Sequence, residues 1–447
     1  MTETESAKTL TGHVAVVGGG VLGMFLALRL RQRGAEVTLL ESTSGPGGLA
    51  EHDVIGSYHW DRFYHVILLS DLHTRTLLDE LGLGDTLRWG VTRTGFYTDG
   101  TLYSLSDSVE FLKFPPLSLI DKFRLGGTIF LASRIKNWKR LEQQTCVDWL
   151  RRWSGKRVVE KIWLPLLKSK LGENYKVASA AFIWTIIARM YAARRSGLKR
   201  EMFGYVDGGY ERVLKALERK LKDSGVTLRY NAAVAGIEDT GGGVAVKLRD
   251  GSTQRFDRAV ATLPTGVFAA LCPQLRPDEK QRLEDVTYQG IVCASMLTKQ
   301  PLGPYYVTNI TDRWVPFTGV IEMTALVDRE RFGGNSLVYL PRYLTQDEAF
   351  WQKSDAEVRE EFVSALEKMY PHFRRGDVLA FNVSRARQVL AVSTLGYSDK
   401  LLPSIATSLK NVYLLNSAQI AAGTLNVNET LGVVHANIEA VTKALRT

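Results

Sequence analysis

His13-Val-Ala-Val-Val17-Gly18-Gly19-Gly20-Val21-Leu22-Gly23 sets a short apolar run directly before glycines spaced Gly-x-Gly-x-x-Gly. Such a run fills a parallel strand buried on both faces. Gly18 permits the tight turn that follows, Gly20 lets a pyrophosphate approach the backbone, and Gly23 lets helix and strand pack closely. The helix predicted from Val21 through Leu22 to Arg33 aims its N-terminal N–H groups at the phosphates. A second predicted strand, Glu36–Leu40, ends in Glu41, eighteen residues beyond Gly23. A carboxylate there accepts both hydroxyls of an adenosine ribose and repels a 2′-phosphate. Strand, glycines, helix, strand and acid in one unit of about 30 residues read as a dinucleotide site. The bland alternative is a phosphate-free α/β turn.

Ser44-Gly45-Pro46-Gly47-Gly48-Leu49 follows Glu41 and Ser42 within a few residues. A second glycine pair lets the backbone pass beside the rest of the dinucleotide, toward a ribityl chain, which separates FAD from NAD. This arrangement resembles the N-terminal signature of the FAD-dependent superfamily of protoporphyrinogen oxidase, flavin amine oxidases and phytoene desaturases. Later stretches carry the resemblance further. Trp60-Asp61-Arg62-Phe63-Tyr64-His65-Val66-Ile67 stands where the family has an xDxG stretch against the flavin, with Phe63 in place of the usual glycine. Phe256 to Pro264, ending Ala261-Thr262-Leu263-Pro264, looks like the family's strand with its ATxP turn. Asn411 to Ser417 is similar to the strand beside pyrophosphate and ribitol, and Thr424 to Gly432 to the entry of the final helix.

The resemblance implies an α/β fold: a Rossmann-like, glutathione-reductase-like FAD-binding domain with an interleaved substrate domain of mixed sheet plus helices. It assigns 1–75, 206–272 and 401–447 to the first and 76–205 and 273–400 to the second. It implies FAD contacts from Gly18, Gly20, Val21, Leu22, Gly23, Glu41, Ser42, Gly47, Gly48, Leu49, Tyr64 and His65. Further along, the same carry-over names Val234 (backbone to adenine), Thr262, Asn416, Ser417, Leu425, Asn426 and Val427. His65 and Glu429 are the candidate catalytic groups. As an imidazole, His65 suits proton transfer or substrate positioning; its alternative is a partly buried histidine bonded to backbone. Glu429 is equally readable as a helix-start cap. Arg62 and Tyr64 are further candidates for substrate contact, and Gly208-Gly209-Tyr210 opens an amphipathic helix.

One departure argues against amine oxidation. Family amine oxidases place a lysine over the flavin in a strand leading to a KxP turn; counting back from Pro301, that position falls at about Val292 or Cys293. The leading expectation is an FAD-dependent oxidoreductase of dehydrogenase, oxidase or desaturase type, moving hydride from an apolar or anionic organic substrate to flavin. The alternative is a non-redox flavoenzyme resembling UDP-galactopyranose mutase and acting on a nucleotide sugar.

Composition bounds the rest. In 447 residues, 57 Lys+Arg against 47 Asp+Glu give a net charge of +10, with 45% hydrophobic residues, an ordinary globular balance. The excess is local: residues 113–222 hold 25 basic and 9 acidic side chains, and the remainder is net acidic. That region also holds Trp138, Trp149, Trp153, Trp163 and Trp184, so a peripheral membrane contact is an expectation, with core tryptophans under a solvated basic face as its alternative. No nucleic-acid motif accompanies the charge. Three scattered cysteines exclude a disulfide framework, and no metal site is expected. No uncharged apolar stretch reaches membrane-spanning length. The expected location is cytoplasmic, or peripheral to the inner face of a membrane.

Overall fold

The computed structural model describes residue 10 and residues 12–193 and 202–446. The chain opens with β1 (His13–Val17), α1 (Val21–Gln32) and β2 (Glu36–Leu40), then the hairpin β3 (His52–Ile55) and β4 (Tyr58–Asp61), and α2 (Leu72–Glu80). Strands β5 (Leu87–Val91), β6 (Thr94–Thr98) and β7 (Thr101–Ser104) lead into helices α3 (Ser108–Lys113), α4 (Leu119–Arg134), α5 (Cys146–Ser154), α6 (Leu164–Leu171) and α7 (Ala180–Ala193). β8 (Met202–Val206) and α8 (Gly209–Asp223) return to short strands: β9 (Thr227–Arg229), β10 (Val234–Asp239), β11 (Val244–Leu248), β12 (Thr253–Phe256) and β13 (Arg258–Ala261). Longer strands follow, β14 (Tyr288–Thr298), β15 (Val307–Ile310), β16 (Gly319–Glu322), β17 (Ser336–Leu344) and β18 (Val378–Ala391), with α9 (Asp355–Met369) between the last two. β19 (Val412–Leu414) and α10 (Val427–Arg446) close the fold.

The apolar run of β1 becomes the central strand of a five-stranded parallel sheet ordered β19-β13-β1-β2-β9. Its alternation explains why no polar residue interrupts it. Val14 and Val16 face one core with α1 and α10, whereas Ala15 and Val17 face another under the β10–β12 meander. Gly241-Gly242-Gly243 turns β10 into β11, and β12 pairs with β11 to complete the meander.

A second, seven-stranded sheet runs β18-β14-β17-β16-β15-β6-β7, antiparallel except between β15 and β6. β14 is buried at every residue. Val292, Ala294 and Met296 pack toward α9, while Ile291, Cys293 and Leu297 pack toward Trp60, Phe63, Leu49 and Tyr64. This second face is where the two sheets' territories meet.

The helical block forms its own core and corrects the tryptophan expectation. Trp149 is 2% exposed and packs beside Trp138, Trp163 and Trp184; Trp153 alone of the five has a largely exposed side chain. Residues 194–201 of the basic region lie outside the described residues.

Candidate active site

The glycine loop leaves the carboxyl end of β1, where open parallel sheets bind their ligands. Gly18 has φ 115°, and its N–H donates to Leu40 O at 2.9 Å. A Cβ on Gly23 would stand 1.9 Å from Gly18 O, so only glycine lets α1 begin this close to the turn. At Gly20 the opposite holds: a Cβ would meet no protein atom within 4 Å, so this side of the loop is open. α1 starts there with no side-chain cap and no acid in its first turn. Its N-terminal N–H groups are thus left to an anion. Gly47 N–H donates to Gly19 O at 2.9 Å, which lays the second glycine pair, Gly47 and Gly48, alongside the first loop.

Glu41 ties these pieces together. Its Oε2 accepts from Gly19 N at 2.7 Å, and Oε1 accepts from Ser42 Oγ, Thr43 N and Thr43 Oγ1 at 2.8–3.0 Å. A single donor on Oε2 leaves that oxygen a lone pair for a ribose hydroxyl. The open flank at Gly20, the uncapped helix start and this carboxylate fit an adenine dinucleotide.

The later predicted residues cluster around the same strand ends. Thr262 Oγ1 lies 3.1 and 3.2 Å from Val17 O and Gly18 O, so it braces the loop from β13. Asn416 is buried after β19; its Nδ2 donates to Leu263 O at 2.6 Å, which ties the two strand ends, and Ser417 follows in a short 3₁₀ turn. Val234 begins β10, partly covered by the meander core. Asn426 Oδ1 accepts from Glu429 N and caps α10; Val427 packs against α1's core and Leu425 against the helical block. Glu429 is half-buried beside Gly423, and no hydrogen bond or ion pair joins it to His65.

Around His65 a different set converges. Asp61 ends β4 with 2% exposure; its Oδ1 accepts from Tyr210 N at 2.7 Å and its backbone O accepts from Tyr339 Oη. Asp61 Oδ2 lies 3.6 Å from His65 Nδ1, a buried atom without a hydrogen-bond partner. The His65 ring leans on Tyr210 at 4.8 Å between centroids. Burial, with Asp61 and Asp71 nearby, pushes the Tyr210 phenol well above its ordinary range, so it stays protonated. Arg189, from α7, forks onto both oxygens of Asp71 at 3.0 and 2.9 Å.

On the sheet side, Tyr64 Oη meets Tyr343 Oη at 2.9 Å, and Lys170 Nζ of α6 donates to the same Tyr343 Oη at 2.9 Å. Burial and the neighbouring Tyr343 raise the Tyr64 phenol. No carboxylate lies within ion-pair distance of Lys170 among the described residues. The rest of this wall is apolar: Leu49, Cys293, Ala386 and Val389. Cys293, which with Val292 spans the position of the family amine oxidases' lysine, is fully enclosed and its thiol is pushed up by burial. Arg62 pairs with Glu51 at 3.0 Å rather than entering this wall. Sequence reading quoted Asp61 and Tyr210 without a role, and it missed Lys170, Tyr343 and Arg189. The resemblance carried no motif for these three.

Over residues 23–423 the chain matches the family described as flavin containing amine oxidoreductase. The chain belongs to that family. FAD is accordingly its cofactor. Two curated relatives are 4,4'-diapolycopen-4-al dehydrogenase of Metabacillus indicus, 23% identical over 55% of this chain, and coproporphyrinogen III oxidase of Staphylococcus aureus, 25% identical over 58%. The aligned chain spans 55% and 62% of those proteins. Among solved structures, putrescine oxidase bound to putrescine superposes with a TM-score of 0.74 at 16% identity, covering 97% of this chain and all of that one. Reduced UDP-galactopyranose mutase superposes at 0.72 and 14%, covering 97% of each chain. At such identities the likeness is one of fold.

Proposed function

We propose that this flavoprotein is a dehydrogenase or oxidase that withdraws hydride equivalents from an apolar organic substrate bearing an anionic group. The observation that carries the reading is Lys170: a half-buried cation without a carboxylate partner, hydrogen-bonded to Tyr343 at the edge of an apolar wall. Bound FAD supplies the hydride acceptor. Leu49, Ala386 and Val389 exclude water from the reacting carbon. Lys170 holds the anionic group by a charge-assisted bond, and the Tyr64–Tyr343 pair orients it. His65 Nδ1, buried and 3.6 Å from Asp61 Oδ2, is placed to hold a proton opposite a carboxylate. A positive side chain at this wall, and Val292 and Cys293 where family amine oxidases place their lysine, both disfavour a cationic amine as substrate. The names of the two curated relatives, one acting on a polyene aldehyde and one on a porphyrinogen, accord with an apolar body.

The test is anaerobic mixing of the oxidised holoenzyme with polyene aldehydes or porphyrinogens carrying carboxylates. Bleaching of the flavin at a substrate-dependent rate is expected. Turnover that requires prior flavin reduction and leaves its redox state unchanged would instead establish the mutase reading.

We further propose that α3 and α4 rest on an anionic lipid surface. Leu119, Ile120 and Phe123 are 64%, 68% and 74% exposed, with Val109, Leu112 and Phe130 also largely bare. They lie within the basic, net-positive stretch of the chain or just before it, so the charge complements anionic headgroups. Among the described residues, no helix is long and apolar enough to cross a membrane.

A further inference from the structure

The β3–β4 hairpin and the first turn of α8 bring together two imidazoles and a carboxylate. Val54 pairs with His59 across the hairpin, so His52, two residues before Val54, projects on the same face as His59. Glu211 rises beneath them from the helix. His52 Nε2 lies 3.2 Å from Glu211 Oε1 and His59 Nδ1 lies 3.7 Å from the same oxygen, while the two rings stack with centroids 5.6 Å apart. One ligand atom from each residue lies within 4.8 Å of the others. Zinc held at about 2.0–2.1 Å by three tetrahedral ligands sets them roughly 3.3 Å apart, so only small side-chain rotations are needed.

We propose that His52, His59 and Glu211 form a divalent transition-metal site, best suited to zinc, whose fourth position opens to solvent. His59 and Glu211 both line a cleft of about 620 Å³, which leaves room for a water or hydroxide to complete the tetrahedron. Two imidazoles and one carboxylate are the donors that borderline-soft divalent ions select. The cleft is also lined by the cations Arg212, Lys215 and Arg219. One of these cations competes directly: Lys215 Nζ sits 2.7 Å from Glu211 Oε1 and must leave when metal arrives. It is well exposed and free to swing out. Sequence reading could not expect the site, because Glu211 lies 152 residues beyond His59 and no metal motif links them.

The experiment is calorimetric titration of zinc chloride into chelator-dialysed holoenzyme, with flavin absorbance and melting temperature confirming that each variant is folded. The parent should bind one zinc per chain. His59→Ala and Glu211→Gln should each weaken binding at least ~10-fold, and His372→Ala, at an exposed histidine elsewhere, should leave it unchanged. Lys215→Ala should tighten binding by removing the competitor for Oε1. Absence of saturable binding, or binding indifferent to His59→Ala and Glu211→Gln, would overturn the site. Weaker binding in Lys215→Ala would overturn the shared-oxygen geometry on which it is built.

Discussion

Lys170 and Gly20 are the two positions where a single side chain carries the functional reading. Lys170→Gln keeps a donor to Tyr343 but removes the charge, so FAD retention should be unchanged while kcat/KM for a carboxylate-bearing substrate falls roughly 10- to 100-fold. An equal loss with an uncharged analogue would show that Lys170 only supports packing. At Gly20 the vacant flank is the point: a Cβ added there meets no protein atom within 4 Å, so Gly20→Asp should fold, yet it would set a carboxylate on the flank proposed for the pyrophosphate. The purified variant should be colourless and resist reconstitution with FAD; undiminished yellow colour would remove this loop from the cofactor site. Gly20 could be singled out from a local spacing alone. Lys170 was not, because its partner Tyr343 lies 173 residues away and only the packing of α6 on β17 joins them.

Among the elements, α4 combines a secure start with an unsatisfied face. Ser118 and Asp121 form a reciprocal capping box, so the helix does not depend on its exposed apolar residues for its beginning. Ile120→Glu with Phe123→Glu should therefore leave fold and flavin content intact while abolishing sedimentation with anionic phosphatidylglycerol vesicles. Retained binding would move the lipid contact elsewhere. The membrane expectation rested on the tryptophans, whereas the proposed lipid face rests on Leu119, Ile120 and Phe123: tryptophan beside arginine reads the same on a surface and in a helical core, and Trp149 is core. The large sheet offers a second element-scale test. Glu322, on β16, is fully enclosed; burial outweighs its bonds from Leu302 N and Thr324 Oγ1 and raises its carboxyl to about 7. The folded chain thus keeps a proton that the unfolded chain releases. This contribution, of order 3 kcal/mol, is full below the ordinary carboxyl pKa near 4.5 and is lost as pH rises through about 7. The melting temperature of Glu322→Gln, measured against the parent, should climb between about pH 5 and pH 8; a constant difference would show that Glu322 is not protonated in the fold.

At the scale of the whole molecule, the +10 charge resolves into a net acidic body and one basic helical stretch that carries both the exposed apolar face and Lys170. The fold class was readable because β1, β2 and β13 of the cofactor sheet announce themselves locally, in apolar runs closed by the glycine loop, by Glu41 and by the Ala261-Thr262-Leu263-Pro264 turn. The site between the sheets was only partly readable, since Asp61, Tyr210, Arg189 and Lys170 meet through tertiary packing alone. The same architecture has a consequence for biosynthesis. Strands β1 and β2 pair at the start of the chain, but their neighbours β13 and β19 arrive hundreds of residues later. At the ~5–20 residues per second of ribosomal synthesis, the nascent first strands wait on the order of 20–75 s for β19. Cofactor capture is thus a late event, and chaperones that shield exposed strand edges during that interval should raise the yield of yellow protein more than added FAD does.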